Sequence, residues 1–141
     1  MTPIIRITKH FEFEAAHNLP NHDGECRGLH GHSYKVAVTI QGPAKPKTGG
    51  PDEGMVIDFK HLKEVYRTQV HEKLDHKYLN EVPGLDGLPT AERIAMWILC
   101  VFMRHLDNTV SNVLVYSVEV HETRTSSATV FSPLAIAEAA R

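Results

Sequence analysis

FEFEAAHNLPNHDGECRGLHGHSYKV, residues 11–36, contains the ends of two alternating segments and the loop between them. Residues 3–17 alternate apolar and polar side chains for most of their length, which predicts a half-buried β-strand. Residues 18–28 are rich in Asn, Pro, Asp and Gly, which predicts a loop, and the alternation resumes over residues 29–40. We therefore expect two strands that pair through this loop and form one half of a sheet.

Three histidines lie at the facing ends of these two strands. His30 and His32 are two residues apart on a predicted strand, so both rings project from the same face, roughly 6–7 Å apart along it. His17 ends the preceding strand and can reach the same point. Three imidazoles hold a zinc ion and leave one coordination position open, as in catalytic zinc sites. We predict a Zn²⁺ site, although the ligand type also suits nickel, copper or iron, and a His-X-His pair also occurs for structural reasons.

Cys26 lies on the loop, shortly before His30, and two interpretations of it stay open. As a fourth ligand it closes a structural metal site. As a free thiolate beside a cation it acts as a nucleophile or general base, and its position between glycines favours this second interpretation. Cys100 falls inside an apolar helical pattern, which predicts a small buried side chain.

Two further groups of polar residues are candidates for chemistry. Asp75 and His76 follow the first predicted helix directly and can form a carboxylate–imidazole pair that serves proton transfer, or they are polar loop residues. Glu122 continues an apolar strand face, where a carboxylate is costly unless it binds something. It can accept two hydrogen bonds from the aminopyrimidine edge of a heterocycle, or it is exposed at the strand end. The apolar residues predicted to share its face are Leu114, Tyr116, Val118 and Val120.

The rest of the pattern predicts helices and strands around this centre. Asp58 and Thr90 are predicted N-caps of two helices, with a loop over residues 75–89 between them, and Met55–Ile57 is a predicted short strand. The second helix is apolar nearly all round, which predicts either a deeply buried core helix or a helix that is also covered in a subunit interface. Two strands follow it. The order β-β-α-α-β-β predicts an α+β fold with an antiparallel sheet and two helices on one face, in a single domain of residues 1–141.

Composition argues against several classes of protein. The 141 residues are 42% hydrophobic and 23% charged, and the formal net charge is −2, so the basic surface of a nucleic-acid-binding protein is absent. The longest apolar run, Ile94–Met103, is too short to span a bilayer. The N-terminal segment lacks the apolar core of a signal peptide, so we expect a cytoplasmic protein in which Cys26 and Cys100 are free thiols rather than one disulfide.

Several short motifs, in this order along the chain, resemble the 6-pyruvoyltetrahydropterin synthase / 6-carboxytetrahydropterin synthase family. Separate motifs in one order are far more specific than any one of them, and they extend from the first strand to residue 123. The motifs are FEFEAAH ending at His17, C-x-x-x-H-G-H-S-Y from Cys26 to Tyr34, GMVIDF from Gly54 to Phe59, LDHKYLN from Leu74 to Asn80, PTAE from Pro89 to Glu92, and HET from His121 to Thr123.

The resemblance implies the tunnelling fold (T-fold), in which β-β-α-α-β-β units assemble as trimers that stack into a homohexamer. It also implies active sites that lie between subunits and bind a small-molecule pterin. The residues to which it assigns roles are, for zinc, His17, His30 and His32; for catalysis, Cys26 as general base with Asp75 and His76; and for the pterin, Glu122 with Thr123 and Thr90.

The resemblance further implies the substrate, 7,8-dihydroneopterin triphosphate. One branch of the family eliminates triphosphate and gives 6-pyruvoyltetrahydropterin, whereas the other also cleaves a carbon–carbon bond and gives 6-carboxytetrahydropterin and acetaldehyde. The C-x-x-x-H-G-H spacing that begins at Cys26 resembles the bacterial carboxy branch, which feeds 7-deazaguanine synthesis (preQ0 and queuosine). We therefore expect a 6-carboxy-5,6,7,8-tetrahydropterin synthase, a zinc-dependent lyase, with the pyruvoyl enzyme as the alternative.

Two rival functions come from other classes of protein. A zinc-dependent hydrolase needs a carboxylate base beside the metal-bound water, and no H-E-x-x-H motif is present to supply it. A non-catalytic zinc-binding protein would close the site with Cys26 and the three histidines, and it predicts that removal of the thiol releases the metal.

Overall fold

Five strands form one sheet: β1 (Ile5–His17), β2 (His30–Gly42), β3 (Lys77–Tyr78), β4 (Leu114–Thr123) and β5 (Ser126–Phe131). The computed structural model describes residues 2–106 and 112–139 of the chain. The strands lie in the order β3-β1-β2-β4-β5. Neighbouring strands run antiparallel, except that β3 pairs in parallel with the end of β1.

Strand β1 pairs with β2 over its whole length, from Ile5 opposite Gly42 to His17 opposite His30. Residues that lie opposite each other point to the same face of the sheet, so the apolar residues of both strands share one face. A shift of one residue would turn all of these side chains to the other face. The alternation seen in the sequence therefore fixes the register of this pair.

Helix α1 (Phe59–Val65) is capped by Asp58, whose side chain accepts a hydrogen bond from the Lys60 backbone N–H at 2.9 Å. The helix continues through a π-helical segment, Tyr66–His71, into a last turn, Glu72–Leu74. The aspartate satisfies a backbone donor that has no partner inside the helix. The predicted start of this helix is confirmed.

Helix α2 (Ala91–Leu106) is capped by Thr90, whose Oγ1 accepts a hydrogen bond from the Arg93 backbone N–H at 3.2 Å. This cap is also confirmed. A short helix, α3 (Pro133–Ala139), follows β5. Over residues 2–106 and 112–139, no helix is long and apolar enough to cross a membrane.

One buried cluster fills the space between the helices and the apolar face of the sheet. Tyr34 of β2, Phe13 of β1 and Phe102 of α2 are its largest members, and each is at most 1% exposed. The Phe13 and Tyr34 rings stack with their centroids 4.7 Å apart, which ties β1 to β2. Burial of each such side chain contributes about 2 kcal/mol to stability. The predicted α+β class, with two helices on one face of a mainly antiparallel sheet, is confirmed.

Two short segments differ from the sequence prediction. Lys77–Tyr78 forms β3 within the loop predicted between the helices, because the chain leaving α1 runs alongside the end of β1. Met55–Ile57 does not join the sheet, so the predicted strand there is wrong. Lys45 instead exchanges backbone hydrogen bonds of 2.9 Å with Met55 and Gly54, which gives a local strand-like contact outside the sheet.

The pairing of β2 with β4 contains an irregularity that changes which β4 residues face the core. Ile40 of β2 lies opposite Val115, and the register shifts at this point. Val115 is fully buried, whereas Tyr116 is only half-buried. The prediction that Leu114 and Tyr116 share the core face of Val118 is therefore wrong, because a bulge moves the alternation by one residue.

Cys100 is exposed on α2, so the prediction of a buried thiol is wrong. The adjacent Leu99 and Val101 are 4% and 2% exposed, and Met96, one turn earlier, is 48% exposed. Position 100 thus falls on the narrow solvent-facing strip of an otherwise apolar helix. The sequence of α2 contains few polar residues, so its pattern did not show which positions face solvent.

Gly84 is a position where the fold depends on the absence of a side chain. It has a φ of +94°, and a Cβ placed there would lie 2.9 Å from two ring atoms of Trp97. The ring cannot easily move aside, because Trp97 Nε1 donates a hydrogen bond to the Pro83 carbonyl at 3.0 Å. We expect Gly84→Ala to lower the free energy of unfolding by about 2–4 kcal/mol, measured by urea denaturation.

Gly87→Ala is the matched control for this variant. Gly87 also has a positive φ, +69°, but a Cβ there would meet nothing within 4 Å. Gly87→Ala therefore measures the backbone strain alone, which we expect to lower the free energy of unfolding by about 1 kcal/mol. Equal losses in the two variants would show that the contact with Trp97 contributes nothing.

Candidate functional site

Three histidines converge where β1 and β2 meet. The pairing of His17 with His30, and of Ala15 with His32, places all three rings on the buried face of the sheet. One ring nitrogen from each histidine lies within 4.8 Å of the others, and the Nε2 atoms of His17 and His30 are 3.0 Å apart. His17 is fully buried, and the other two are half-buried. The structure thus brings together the residues that the sequence predicts as metal ligands.

Backbone carbonyls set the orientation of two of these imidazoles. Nδ1 of His17 lies 2.9 Å from the Pro89 carbonyl oxygen, and Nδ1 of His30 lies 2.7 Å from that of Gly28. Because a carbonyl only accepts hydrogen bonds, we assign the proton to Nδ1 in both rings, which leaves each Nε2 with a free lone pair. Two unprotonated nitrogens at 3.0 Å repel each other unless a cation lies between them.

His32 supplies a third nitrogen without a protein partner. Its Nε2 atom is buried and has no hydrogen-bond partner. Burial lowers the pKa of His32, and the neighbouring His17 and His30 act in the same direction, against the opposing charge of Glu122. The ring is therefore neutral at neutral pH, the form that binds a metal. A buried nitrogen without a partner, beside two unprotonated ones, is a donor set that fits a divalent ion such as zinc.

The loop before α2 is attached to the end of β1 by further hydrogen bonds. The Asn18 backbone N–H donates to the Asn80 side-chain oxygen at 3.0 Å, and the Asn80 amide donates to the Asn18 carbonyl at 2.8 Å. Together with the contact of Pro89 on His17, these bonds fix the loop against the histidine cluster. Asn80 and Pro89 belong to the sequence motifs LDHKYLN and PTAE, but neither was predicted to make these contacts.

Tyr34 forms the floor of the histidine cluster. It is fully buried, and its hydroxyl lies 3.3 Å from Nδ1 of His17. Burial raises the pKa of Tyr34, and the negative charge of Glu122 raises it further. The phenol therefore stays protonated and adds no charge beneath the site.

Glu122 approaches the histidines from β4. Its Oε1 lies 3.7 Å from Nε2 of His32, and its Oε2 lies 4.0 Å from Nε2 of His17. The side chain is 24% exposed, so the carboxylate is within reach of a ligand. The strand face predicted from the sequence thus leads to the histidine cluster, and Glu122 is part of this centre.

The two threonines predicted beside the pterin lie in different surroundings. Thr90 caps α2 and directly follows Pro89, whose carbonyl contacts His17, so the backbone brings Thr90 near the histidine cluster. Thr123 is exposed and lines a separate cavity of about 360 Å³ together with Lys35 and Arg124. The structure therefore brings Thr90, but not Thr123, towards the histidines within one chain.

Cys26 lies in a short 3₁₀ turn, Glu25–Arg27, of the loop between β1 and β2. It is a free, half-buried thiol. Its carbonyl accepts a hydrogen bond from the Leu19 N–H at 2.7 Å, which fixes the backbone of this loop. Within the described part of the chain, the group close enough to share a metal ion comprises the three histidines and not Cys26. This geometry favours an open site with three ligands over the closed alternative.

Asp75 and His76 form a carboxylate–imidazole pair, with Asp75 Oδ2 at 2.6 Å from Nδ1 of His76. The Glu14 backbone N–H donates to Asp75 Oδ1 at 2.9 Å. This hydrogen bond is the main cause that lowers the pKa of Asp75, and His76 and His71 add to the effect. The His76 side chain is 78% exposed and, with His32, lines an open cavity of about 430 Å³. The pair therefore presents an imidazole, oriented by an ionised carboxylate, to a cavity beside the histidine cluster.

Comparison with known proteins gives a consistent set of relatives. The sequence model of the 6-pyruvoyl tetrahydropterin synthase family matches residues 6–133. Over 127 residues the chain is 47% identical to the 6-carboxy-5,6,7,8-tetrahydropterin synthase of Synechocystis sp., a match that covers 90% of this chain and 93% of that protein. It is 31% identical over 135 residues to the 6-pyruvoyl tetrahydrobiopterin synthase of Drosophila melanogaster, covering 86% of this chain and 76% of that protein.

The fold has solved counterparts. The structure of Caenorhabditis elegans 6-pyruvoyl tetrahydropterin synthase aligns with a TM-score of 0.79 at 26% identity, over 93% of this chain and 97% of that one. The matched region, residues 6–133, contains every candidate site residue described above.

The donor geometry predicts different effects for the histidines and the cysteine. We expect His32→Ala to weaken Zn²⁺ binding by about a hundredfold or more, because it removes one of three converging nitrogens. Cys26→Ala is expected to leave the affinity unchanged. Isothermal titration with a competing chelator measures both. Loss of the metal from the Cys26 variant would instead support the closed four-ligand site.

The lowered pKa of Asp75 predicts a pH-dependent contribution to stability. A carboxylate whose pKa is lower in the folded than in the unfolded state stabilises the fold above its unfolded pKa, and the effect is lost as pH falls through the folded pKa. We expect Asp75→Asn to cost about 1 kcal/mol of unfolding free energy at pH 6 and progressively less below pH 4, measured by urea denaturation. A difference that stays constant from pH 6 to pH 3 would contradict this assignment.

Proposed function

The chain belongs to the 6-pyruvoyl tetrahydropterin synthase family, and from this premise we propose that it is a 6-carboxy-5,6,7,8-tetrahydropterin synthase. The proposed reaction converts 7,8-dihydroneopterin triphosphate and one water molecule into 6-carboxytetrahydropterin, acetaldehyde and triphosphate. The observation that carries the proposal is the convergence of His17, His30 and His32, because it supplies three metal donors and leaves a position open for substrate. Family membership agrees with the resemblance drawn from the sequence motifs.

The carboxy branch is favoured over the pyruvoyl branch by the relatives and by one spacing. The relative from Synechocystis sp., at 47% identity, carries the carboxy name, whereas the Drosophila melanogaster relative with a pyruvoyl name is 31% identical. The spacing of Cys26 from the His-Gly-His sequence points the same way. The carboxy product would enter the synthesis of 7-deazaguanines, the route to preQ0 and queuosine. The pyruvoyl enzyme, which eliminates triphosphate without carbon–carbon cleavage, is the second candidate.

Zinc is the proposed cofactor, held by His17, His30 and His32. A bound zinc ion acts as a Lewis acid that makes substrate hydroxyls more acidic. The protein supports this role by lowering the pKa of His32 through burial and by fixing His17 and His30 with backbone carbonyls. These contacts orient the lone pairs without adding negative charge.

Proton transfer is assigned to two groups that flank the histidine cluster. We propose Cys26 as the general base, since its loop position leaves the thiol outside the metal-binding group. His76 is proposed to transfer a proton on the side of the histidine cluster opposite Cys26, and Asp75 Oδ2 holds its Nδ1 at 2.6 Å. Because Asp75 is ionised and fixed by the Glu14 N–H, it keeps this imidazole in one orientation.

Recognition of the pterin ring is assigned to Glu122. A carboxylate accepts two hydrogen bonds from an aminopyrimidine edge, which no neutral side chain does as well. Glu122 lies near His32 and His17, so it would hold the pterin ring with the side chain of the pterin directed towards the metal site. Thr90 and Thr123 are proposed to complete the pterin pocket.

We propose a homo-oligomer, a hexamer of two stacked trimers, with active sites between subunits. Strand β5 is the last strand of the sheet in the described part of the chain, and strand edges of this kind pair with other chains unless they are covered. Met96 of α2 and Phe59 of α1 are 48% and 47% exposed, which is consistent with cover by a second subunit. The exposed His76 and Thr123 would then contribute to a site that a neighbouring copy completes.

Product analysis tests the proposed function directly. Zinc-loaded protein is incubated with 7,8-dihydroneopterin triphosphate, and the products are identified by mass spectrometry. We expect acetaldehyde together with 6-carboxytetrahydropterin. Formation of 6-pyruvoyltetrahydropterin without acetaldehyde would move the protein to the pyruvoyl branch, and the absence of any turnover would contradict both assignments.

The role of Cys26 is tested in the same assay with a matched cysteine control. We expect Cys26→Ala to lower kcat by about a hundredfold or more, because the general base is removed. Cys100→Ala changes an exposed thiol on α2 and is expected to keep full activity. Equal activity of the two variants would exclude Cys26 as the base.

A further inference from the structure

The cavity of about 360 Å³ lies on the sheet face opposite the three metal-binding histidines. Two of its wall residues, Lys35 and His121, alternate along their strands with the buried Val36 and Val120, so their side chains point away from the core. The three histidines follow the alternation of the buried side chains instead. Within one chain, the sheet therefore separates this cavity from the histidine cluster.

The floor of the cavity is a small residue between two longer ones. Ala37 of β2 is 8% exposed and lies opposite His10 of β1 and Glu119 of β4. Residues that lie opposite each other point to the same face, so two long side chains stand on either side of a methyl group. The resulting concave volume is within the range of small-ligand sites.

Two cationic side chains in the wall of this cavity have no ionic partner. Lys35 of β2 and Arg124, in the turn between β4 and β5, form no ion pair with any residue in the described part of the chain. A concave surface that carries unpaired charges of one sign concentrates the potential and attracts ions of the other sign. The formal net charge of the whole chain is −2, so this positive concavity contrasts with the rest of the protein.

Glu119 is the carboxylate in the wall, and both of its oxygens already have partners. Its Oε1 lies 2.6 Å from Nε2 of His121, and its Oε2 accepts a hydrogen bond from the Thr129 hydroxyl at 3.2 Å. These contacts hold the carboxylate along β4 and β5. It therefore does not neutralise Lys35 or Arg124, and the cavity keeps an excess of positive charge.

We propose that this cavity binds a free oligophosphate anion through Lys35 and Arg124, at a site separate from the proposed active site. Lys35 lies opposite His121, and Arg124 follows three residues later, which spaces the two cations roughly 10 Å along the strand direction. An elongated anion with several phosphates contacts both side chains at once, whereas a single phosphate contacts one. Ammonium and guanidinium groups both donate charge-assisted hydrogen bonds to phosphate oxygens.

Isothermal titration of chelator-treated protein with inorganic triphosphate tests the proposal without turnover. We expect Lys35→Ala and Arg124→Ala each to weaken triphosphate binding by about tenfold, because one charge-assisted contact is lost. Lys63→Ala is the matched control, since Lys63 is exposed on α1, which packs against the other face of the sheet. It is expected to bind like the wild type. Absence of binding to the wild type, or binding that both cavity variants leave unchanged, would overturn the proposal.

Two more variants separate the cavity from other sources of anion binding. His32→Ala alters the histidine cluster and is expected to leave triphosphate binding unchanged, so a loss of binding would place the anion at the histidines and contradict the proposal. Ala37→Met fills the floor of the cavity without a change in charge and is expected to weaken triphosphate binding. Unchanged binding in this variant would show a general attraction to surface charge and would also overturn the proposal.

The lyase assay tests whether the site is separate from the substrate, and this step alone rests on the proposed function. We expect Lys35→Ala to leave the KM for 7,8-dihydroneopterin triphosphate unchanged. A KM raised about tenfold, as expected for the loss of a charge-assisted contact, would assign the cavity to the substrate and contradict its separation from the active site. Failure of the lyase assay itself counts against the proposed function and leaves the calorimetric result intact.

Discussion

The antiparallel pairing of β1 with β2, in the register that sets His17 opposite His30, is the constraint on which the rest of the molecule depends. The same alternation that buries Phe13 and Tyr34 against the helices carries the three histidines to one face. A register shift of one residue would expose the core side chains and, at the same time, separate the three histidines from one another. Folding and the convergence of the three histidines are therefore enforced by one set of apolar contacts, and the carbonyls of Pro89 and Gly28 then set the orientation of two of the rings.

Burial gives the site its chemical character. Desolvation disfavours the charged form of His32, and the carbonyls of Pro89 and Gly28 hold the other two histidines in a single tautomer. The neutral imidazole of His32, the protonated phenol of Tyr34 and the carboxylate of Glu122 make the centre electron-rich without a large net charge. Such a centre attracts a divalent cation because Nε2 of His32 is buried without a hydrogen-bond partner.

Much of the fold and of the site followed from residue patterns, and the failures have physical causes. Period-two alternation predicted β1 and β2, capping chemistry predicted both helix starts, and the face of β4 led to Glu122. The bulge at Val115 and the edge strand Lys77–Tyr78 were not predicted from the sequence. A shift in pairing and a two-residue strand depend on tertiary packing rather than on the local residue pattern. The exposure of Cys100 was not predicted, because the sequence of α2 has too few polar residues to show which side of the helix faces solvent.

The contact between Pro89 and His17 affects which kinds of mutation the histidine site tolerates. Its acceptor is a main-chain carbonyl, and so is the acceptor of His30 at Gly28. Such contacts depend on the path of the backbone and scarcely on residue identity. Surveys of amino-acid substitutions would therefore report these positions as permissive. Insertions or deletions between residues 80 and 89 would be poorly tolerated, because they change the length of chain that delivers the carbonyl to the imidazole.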